Sequence, residues 1–512
     1  MNALRYPLAT LAAVTCVPLL LAAPARAQAA TDPAIEQRLQ RLEERQEQTD
    51  RELKAKDDRI RELEQQLHAA KGPVVPPAEP ATTGAPAAPA APVAASVAAA
   101  SPPGTSANPA LPAPKGGAYE PASGFVLARG ELGELDFGLY TYLRYLNQNG
   151  LDDTYTDSFG RTRSIDRRND LELNKLQLNF KGWFLDPKFR YRMWAWSANT
   201  SQGDPAQVVL GGTLDYMYST EFTFGGGIFA LPSTRSTQGS FPNWYKVDHR
   251  TMADEFFRGS YTTGIWMAGK LADQLKYKLM LANNLSQLGV SALQMDGSFN
   301  TFSAAAWWMP TTGEYGPNEG FGDFEMHDQV ATLLGLHFTR SREDRQAQPG
   351  TDDPENTQLR LSDGTGIFQP NAFNNGTTIN KASYRMIAAD AGVKYRGFAL
   401  DGEFYWRKLD NFAADGPLPV NDVTDTGFQV QASAMLMPRT LQVYVSGSKI
   451  YGDYGDPSDF SVGVNWWPYE KPNLRGNIQV LYLNNSPSGY AAVPFVLGGN
   501  GTVLTTDIEL RF

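Results

Sequence analysis

From Gly124 to the C-terminus the chain alternates between apolar and polar residues, in runs separated by turn residues. Leu135, Phe137, Leu139, Thr141, Leu143 and Tyr145 share one face, and Asp136, Gly138, Tyr140, Tyr142 and Arg144 the other. Successive side chains of a strand point to opposite sides, so this run predicts a strand with one oily and one wet face. The next run sets Leu176, Leu178, Phe180, Gly182 and Phe184 against Lys175, Gln177, Asn179, Lys181 and Trp183. Asp186-Pro187 then turns the chain, and Phe189, Tyr191, Met193 and Ala195 alternate with Arg190, Arg192, Trp194 and Trp196. The pattern recurs at 387–395, 398–407 and 460–467, and ends with Leu504, Thr506, Ile508, Leu510 and the terminal Phe512 on one face.

These runs are about ten residues long, the length a tilted membrane strand needs, against five or six in most soluble sheets. The polar faces repeatedly carry Arg, Lys, Asp, Gln and Asn, so they suit no dry sandwich core. A closed barrel resolves this by placing water inside, lipid outside, and every backbone group in a ladder. Connections fall into two classes. Those at 185–188, 395–397, 437–439 and 467–472 are short, whereas 147–170, 340–381 and 411–425 are long and polar. Short turns at one end and long loops at the other are what outer-membrane barrels show, and Tyr and Trp gather near the strand ends, where an interfacial girdle sits. The expected fold is an all-β transmembrane antiparallel barrel of about 16 strands over 124–512.

The first 123 residues differ. Residues 1–27 have an early Arg5, an apolar run and an Ala25-Arg26-Ala27 cleavage pattern, which describes a secretory signal. Residues 28–70 hold Leu39, Leu53, Ile60 and Leu67 at heptad a, with Ile35, Leu42 and Leu63 at d. That seam predicts a coiled-coil helix that associates with copies of itself. Residues 71–123 are rich in Pro, Ala, Ser and Gly, and read as a disordered, semi-rigid linker. The expected arrangement is a periplasmic coiled coil tethered to a barrel in the outer membrane, with peptidoglycan or a sister helix as the coil's partner.

Composition narrows the functional classes. The chain has 512 residues, a formal charge of −10 and a single cysteine, Cys16, which lies in the signal segment. An acidic chain of this kind lacks the basic face that a nucleic-acid binder needs. The mean hydropathy of −0.37 excludes a bundle of spanning helices but not a barrel, whose strands average out as hydrophilic.

Signal, coiled coil, spacer and long-stranded barrel together resemble the phosphate-selective porin O and P family. Local echoes are Gly227-Ile228-Phe229-Ala230-Leu231-Pro232, similar to the family's strand and proline before an inward loop, and Val462-Gly463-Val464-Asn465-Trp466-Trp467-Pro468, similar to its penultimate hairpin. The terminal Phe resembles the signal read by the barrel assembly machinery. The resemblance implies a homotrimeric porin for passive diffusion of small hydrophilic solutes, including anions such as phosphate. The matching Arg-rich stretch, 167–175, is however mixed with acids, and residues 124–512 carry 33 Lys+Arg against 42 Asp+Glu. Fold and passive role therefore carry over, and the ligand does not.

Candidate pore-lining residues are Arg144, Lys175, Lys181, Arg190, Arg192, Asp401, Glu403 and Arg407, all on polar faces. Their simplest role is to keep a wet wall solvated; the functional one is a local field acting on passing ions. Ser233 to Arg250, after Pro232, is the candidate constriction loop. No catalytic, cofactor or metal residues are assigned. The four histidines lack metal-ligand spacing, and Asp248-His249 and His327-Asp328, as neighbours on a strand, would face opposite ways. Asp453, Asp456 and Asp459 read as a solvated turn. The alternatives are an envelope tether or adhesin without transport, and an outer-membrane hydrolase.

Overall fold

The alternating runs pair into one antiparallel ladder that closes on itself. In this computed structural model, residues 117–120, 124–197, 208–237, 241–287, 299–346, 359–489 and 493–512 are described, with Lys54 alone before them. The signal, coiled-coil and linker expectations lie outside the described residues. Residue contacts divide the chain into two units, 1–105 and 106–512, and the second holds the barrel.

Its strands, in chain order, begin with β1 (Tyr119–Glu120), β2 (Gly124–Gly130), β3 (Gly133–Leu151), β4 (Thr154–Thr156), β5 (Thr162–Ser164), β6 (Asn169–Phe184) and β7 (Asp186–Ser197). They continue with β8 (Val208–Met217), β9 (Thr223–Ala230), β10 (Tyr261–Ala272), β11 (Leu275–Ala282), β12 (Thr301–Trp308) and β13 (Ala331–Asp344). The last are β14 (Ile379–Tyr395), β15 (Phe398–Ala414), β16 (Asp422–Met437), β17 (Leu441–Gly452), β18 (Ser458–Trp466), β19 (Leu474–Asn484) and β20 (Gly501–Arg511). One short helix, α1 (Met252–Phe257), lies between β9 and β10. β3 and β6 to β20 form a closed ring of 16 strands, each paired to its neighbour, with β20 returning to β3. β4 and β5 form a separate hairpin in the first long loop.

Sidedness is inverted relative to a soluble protein. Leu336, Leu400, Phe404, Val430, Val462, Val480 and Ile508 stand exposed on the outer wall. Their sequence neighbours Asp401, Glu403, Gln429, Gln431, Ser461, Gln479 and Asp507 are buried inside. The inner wall is cross-linked between strands: Thr301 to Ser341 at 2.6 Å, Ser446 to Ser461 at 2.7 Å, Asn477 Nδ2 to Asn465 at 2.8 Å, and Arg144 Nε to Asp507 at 2.6 Å. Hydrogen bonds and ion pairs between strands thus meet many of the polar groups of this wall.

The faces follow the alternation in the sequence, and β6 shows how a shift of register changes their phase. Lys175 sits at φ 52° in a bulge of β6, where the β3–β6 register slips. On its N-terminal side Leu171 and Leu173 face outward; on its C-terminal side Leu176 does. A bulge flips every following side chain, so the pattern changes phase there.

Two expectations are corrected. The strands run well into stretches read as loops: β3 reaches Leu151, β13 Asp344 and β15 Ala414. Beyond the membrane both faces of a strand meet water, so charged residues break the hydrophobic alternation while the ladder continues. A closing strand has to pair with the first and on that ground is expected to end flush with the short-turn rim, but this one stops short of it. Phe512 and Leu139 exchange two backbone hydrogen bonds at 3.0 Å, while β3 continues down to Gly133. The missing length is supplied by β2, which pairs with β3 from Phe125↔Phe137 to Gly130↔Gly133. Phe125 meets the Phe512 ring edge-on at 5.1 Å. The two ends of the barrel chain thus share one strand position.

Candidate functional site

The 30-residue connection from Leu231 to Ser260 turns into the barrel, carrying α1 with it. Thr251 caps α1 through Asp254 N, and all six helical residues are buried. Buried polar groups need partners, and each stretch of the segment finds them on the inner wall. Arg235 donates to Asp401 at 2.6 Å, and its backbone N–H to Glu403 at 3.1 Å. His337 Nδ1 meets the Pro232 carbonyl at 3.0 Å, and its Nε2 meets Asp390 at 2.9 Å. Asn465 donates to Tyr245 O at 2.9 Å, Arg475 to Trp244 O at 2.6 Å, and Thr251 to Gln429 at 2.7 Å. The rings stack too: Tyr245 on Tyr444 at 5.6 Å, and Phe257 on Tyr405 at 5.0 Å. Burial, then Lys246 and Arg144, push His249 well below the usual imidazole range, so it sits neutral.

A second segment, 309–330, enters from the short-turn end and meets the first. Phe321 N donates to Asn243 O at 2.8 Å, and Arg235 Nη2 to Gly320 O at 3.2 Å. Asp401 is the junction: it accepts from Arg235 of the first segment, from Tyr245 OH at 3.2 Å, and from Tyr315 OH of the second at 2.8 Å. The sequence reading missed this second segment. Its signal was Pro310, Gly313, Gly316, Pro317, Gly320 and Gly322, turn residues spread over a connection where a short hairpin was due.

At the long-loop half the interior is dry. Leu231, Met252, Phe256 and Phe257 pack with Leu361, Ile367 and Phe368 of the 345–378 loop, and with Tyr384, Tyr405, Ile450 and Leu481 of the wall. This cluster takes no buried residue from β6, β7, β8 or β9. The first segment is tied to β6 at Lys175, which binds Asp248 at 2.7 Å and lies 4.5 Å over the rings of Trp196 and Phe241.

Below that tie a cavity of about 870 Å³ opens along β6 to β12. Six cations line it: Lys181, Arg190, Arg192, Lys270, Lys276 and Lys278. Four acids line it as well: Glu134, Asp136, Asp215 and Glu319. Several acids are already engaged. Glu134 binds Arg129 at 2.9 Å, Asp215 accepts from Trp266 Nε1 at 2.9 Å, and Glu319 pairs with Lys276. Lys181 stands directly opposite Arg192, and Lys270 opposite Lys276. Lys278 Nζ lies 3.6 Å over the Phe229 ring. Acids stand in the same ladder, Asp136 opposite Lys181 and Asp215 opposite Arg190, so the six basic and four acidic residues leave the wall with a modest net positive charge.

The eight candidate residues fall into three groups. Lys181, Arg190 and Arg192 line the cavity. Arg144, Asp401, Glu403 and Arg407 face inward but are sealed under the inward segments, no more than 5% exposed. Lys175 is caged at the tie. Sequence reasoning missed Lys270, Lys276 and Lys278, which alternate on β10 and β11 in a stretch whose strands it did not lay out.

His337, Asp390 and Glu403 bring ligand-type atoms within 4.8 Å of one another. Both ring nitrogens of His337 already have partners, so the trio serves as the clamp on Pro232. Asp459 leaves the acidic turn to face Lys246 at 3.6 Å.

No family model matches the chain, and no curated protein does. Solved structures of similar form include OmpT of Vibrio cholerae in its trimer form (TM-score 0.46, 10% identity, 74% of this chain and 100% of that one). Others are the outer-membrane channel DcaP of Acinetobacter baumannii (0.43, 8%, 74% and 97%) and OmpF of Salmonella typhi (0.42, 12%, 75% and 98%). At these values the barrel assignment rests on the strand pairing itself.

Proposed function

We propose that this protein is an outer-membrane porin: a water-filled channel for passive diffusion of small hydrophilic solutes, biased toward anions, with no catalytic step. The observation that carries the reading is the cavity along β6 to β12, lined by six basic residues, where β6, β7 and β8 give no described side chain to the apolar cluster and Phe229 and Trp266 mark its edge. A cationic wall lowers the energy of an anion in the lumen and raises that of a cation. Phosphate is one anion of suitable size and charge, which keeps the kinship with phosphate-selective porins within the proposal. The apolar outer wall and polar interior support the membrane location. The chain enters the barrel at its short-turn end, where Tyr119 meets Asn473 at 2.8 Å, which supports a periplasmic coiled coil. Trimerisation is what the resemblance implies, and the heptads of residues 28–70 are compatible with it; export is read from the signal and the terminal Phe.

The experiment is planar-bilayer recording in asymmetric KCl. Steady conductance with a reversal potential on the anion side supports the porin. The packed long-loop half favours a second reading, a sealed barrel acting as an envelope tether. Absence of any conductance from the folded protein establishes that reading instead.

A further inference from the structure

The outer wall of β13, β14 and β15 carries a feature that diffusion through the lumen does not use. On β14, outward residues run from Tyr395 to Ile387, and both ends are exposed. Eight residues at about 3.4 Å each, tilted by roughly 40°, span about 21 Å along the membrane normal, close to the apolar band of an outer-membrane barrel. At the far edge of that band the register aligns Phe338, Ile387 and Trp406. One rung further toward the long loops it aligns three cations, Arg340↔Arg385 and Arg385↔Lys408. All three face outward; Arg340 and Arg385 are exposed and Lys408 half-buried. The acids that answer them, Asp410 and Asp422, stand one rung higher still, away from the membrane. Arg340 has no hydrogen-bond or ion-pair partner among the described residues.

Three cations in register on neighbouring strands repel one another unless an anion lies between them. Their exposed ion pairs are weak, so partners exchange readily. Above the apolar belt comes the row of cations, and above that a rung where Arg342 shares the level of Asp410 and Asp422, which sets the unanswered positive charge at the depth of a lipid headgroup. Guanidinium forks bind phosphate oxygens two at a time.

We infer that this row is a binding site for the phosphate groups of a glycolipid in the outer leaflet, its acyl chains lying on Phe338, Ile387 and Trp406. The inference rests on the outer-membrane reading and not on the pore. The test is titration of purified protein, in phosphatidylcholine nanodiscs, with diphosphoryl lipid A, read by native mass spectrometry. Wild type is expected to bind, and Arg340→Gln/Arg385→Gln/Lys408→Gln to lose at least tenfold in affinity while keeping its heat-modifiable gel shift and its conductance. Arg340→Gln alone breaks no ion pair within the described residues, and should lose about threefold. Lys188→Gln, at the opposite rim, should change nothing. Retention of affinity within twofold by the triple variant overturns the inference, as does equal binding of dephosphorylated lipid A or an equal loss in Lys188→Gln. A wild type that binds lipid A but conducts no ions leaves this site standing and removes the porin proposal.

Discussion

Lys181 of β6 and Arg192 of β7 occupy directly opposed positions of one ladder, two cations side by side facing the same cavity. Lys181 also has Asp136 of β3 directly opposite on its other side, so one acid answers the pair in part. The pair's effect is on what passes. Replacing both by Gln is expected to move the reversal potential in a tenfold KCl gradient toward zero. Lys181→Glu/Arg192→Glu should carry it to the cation side. An unchanged potential in both variants would mean that the solute path avoids this wall.

Gly427 of β16 shows how the plug depends on a residue with no side chain. A Cβ there would lie 2.6 Å from the Phe257 ring, which stacks on Tyr405. Gly427→Leu should expel Phe257 and cost about 1–3 kcal/mol, as overpacking does. The same Cβ would lie 2.8 Å from the Lys449 carbonyl oxygen of β17, so the ladder must also give slightly there. The expected result is a folded barrel with normal gel mobility whose segment around α1 is cut faster by added protease. Equal cutting rates would show that the helix is held elsewhere.

Much of this architecture was legible in the residues because lipid and lumen impose opposite demands on adjacent side chains. Asp401, Glu403 and Arg407 alternate with Leu400, Phe404 and Trp406, so the two faces of β15 could be read directly. The inward turn after Pro232 was legible as well. What periodicity cannot report is whether an inward residue meets water. Arg144 and Arg192 look alike in the sequence, yet Arg144 is clamped between Asp507 and the Val247 carbonyl, and Arg192 lines the cavity. The difference lies in where segments 231–260 and 309–330 come to rest, a contact between residues far apart in the chain. The bulge at Lys175 was hidden for a related reason: a phase change needs the partner strand to become visible.

Asp401 joins both inward segments, so it is the position where the plug should fail first. It accepts from Arg235, Tyr245 and Tyr315, and it is 1% exposed. Removing one member of a buried ion pair typically costs 3–5 kcal/mol, because the other charge stays buried and unanswered. Asp401→Ala leaves Arg235 in that state and frees two tyrosine hydroxyls. The segments are expected to loosen, with single-channel conductance rising and fluctuating between levels. Arg235→Leu with Asp401→Leu removes both charges and should recover a quieter channel. Conductance that stays at the wild-type value in Asp401→Ala would show that these segments do not set the width of the path.

Barrel closure makes the last prediction. Only β2 covers the edge of β3 between Gly133 and Phe137, since β20 reaches β3 no lower than Tyr140. Removing residues 1–123 leaves β2 in place, and the closed ladder with it. Removing residues 1–131 strips that edge of its partners and deprives Phe512 of the Phe125 ring. Unpaired backbone groups inside a bilayer cost several kcal/mol each. The shorter deletion is therefore expected to refold in detergent with the mobility shift of an intact barrel, and the longer one to lose most of its folded fraction. If both refold equally, the ring is sealed by β20 alone and β2 is an ornament of the rim.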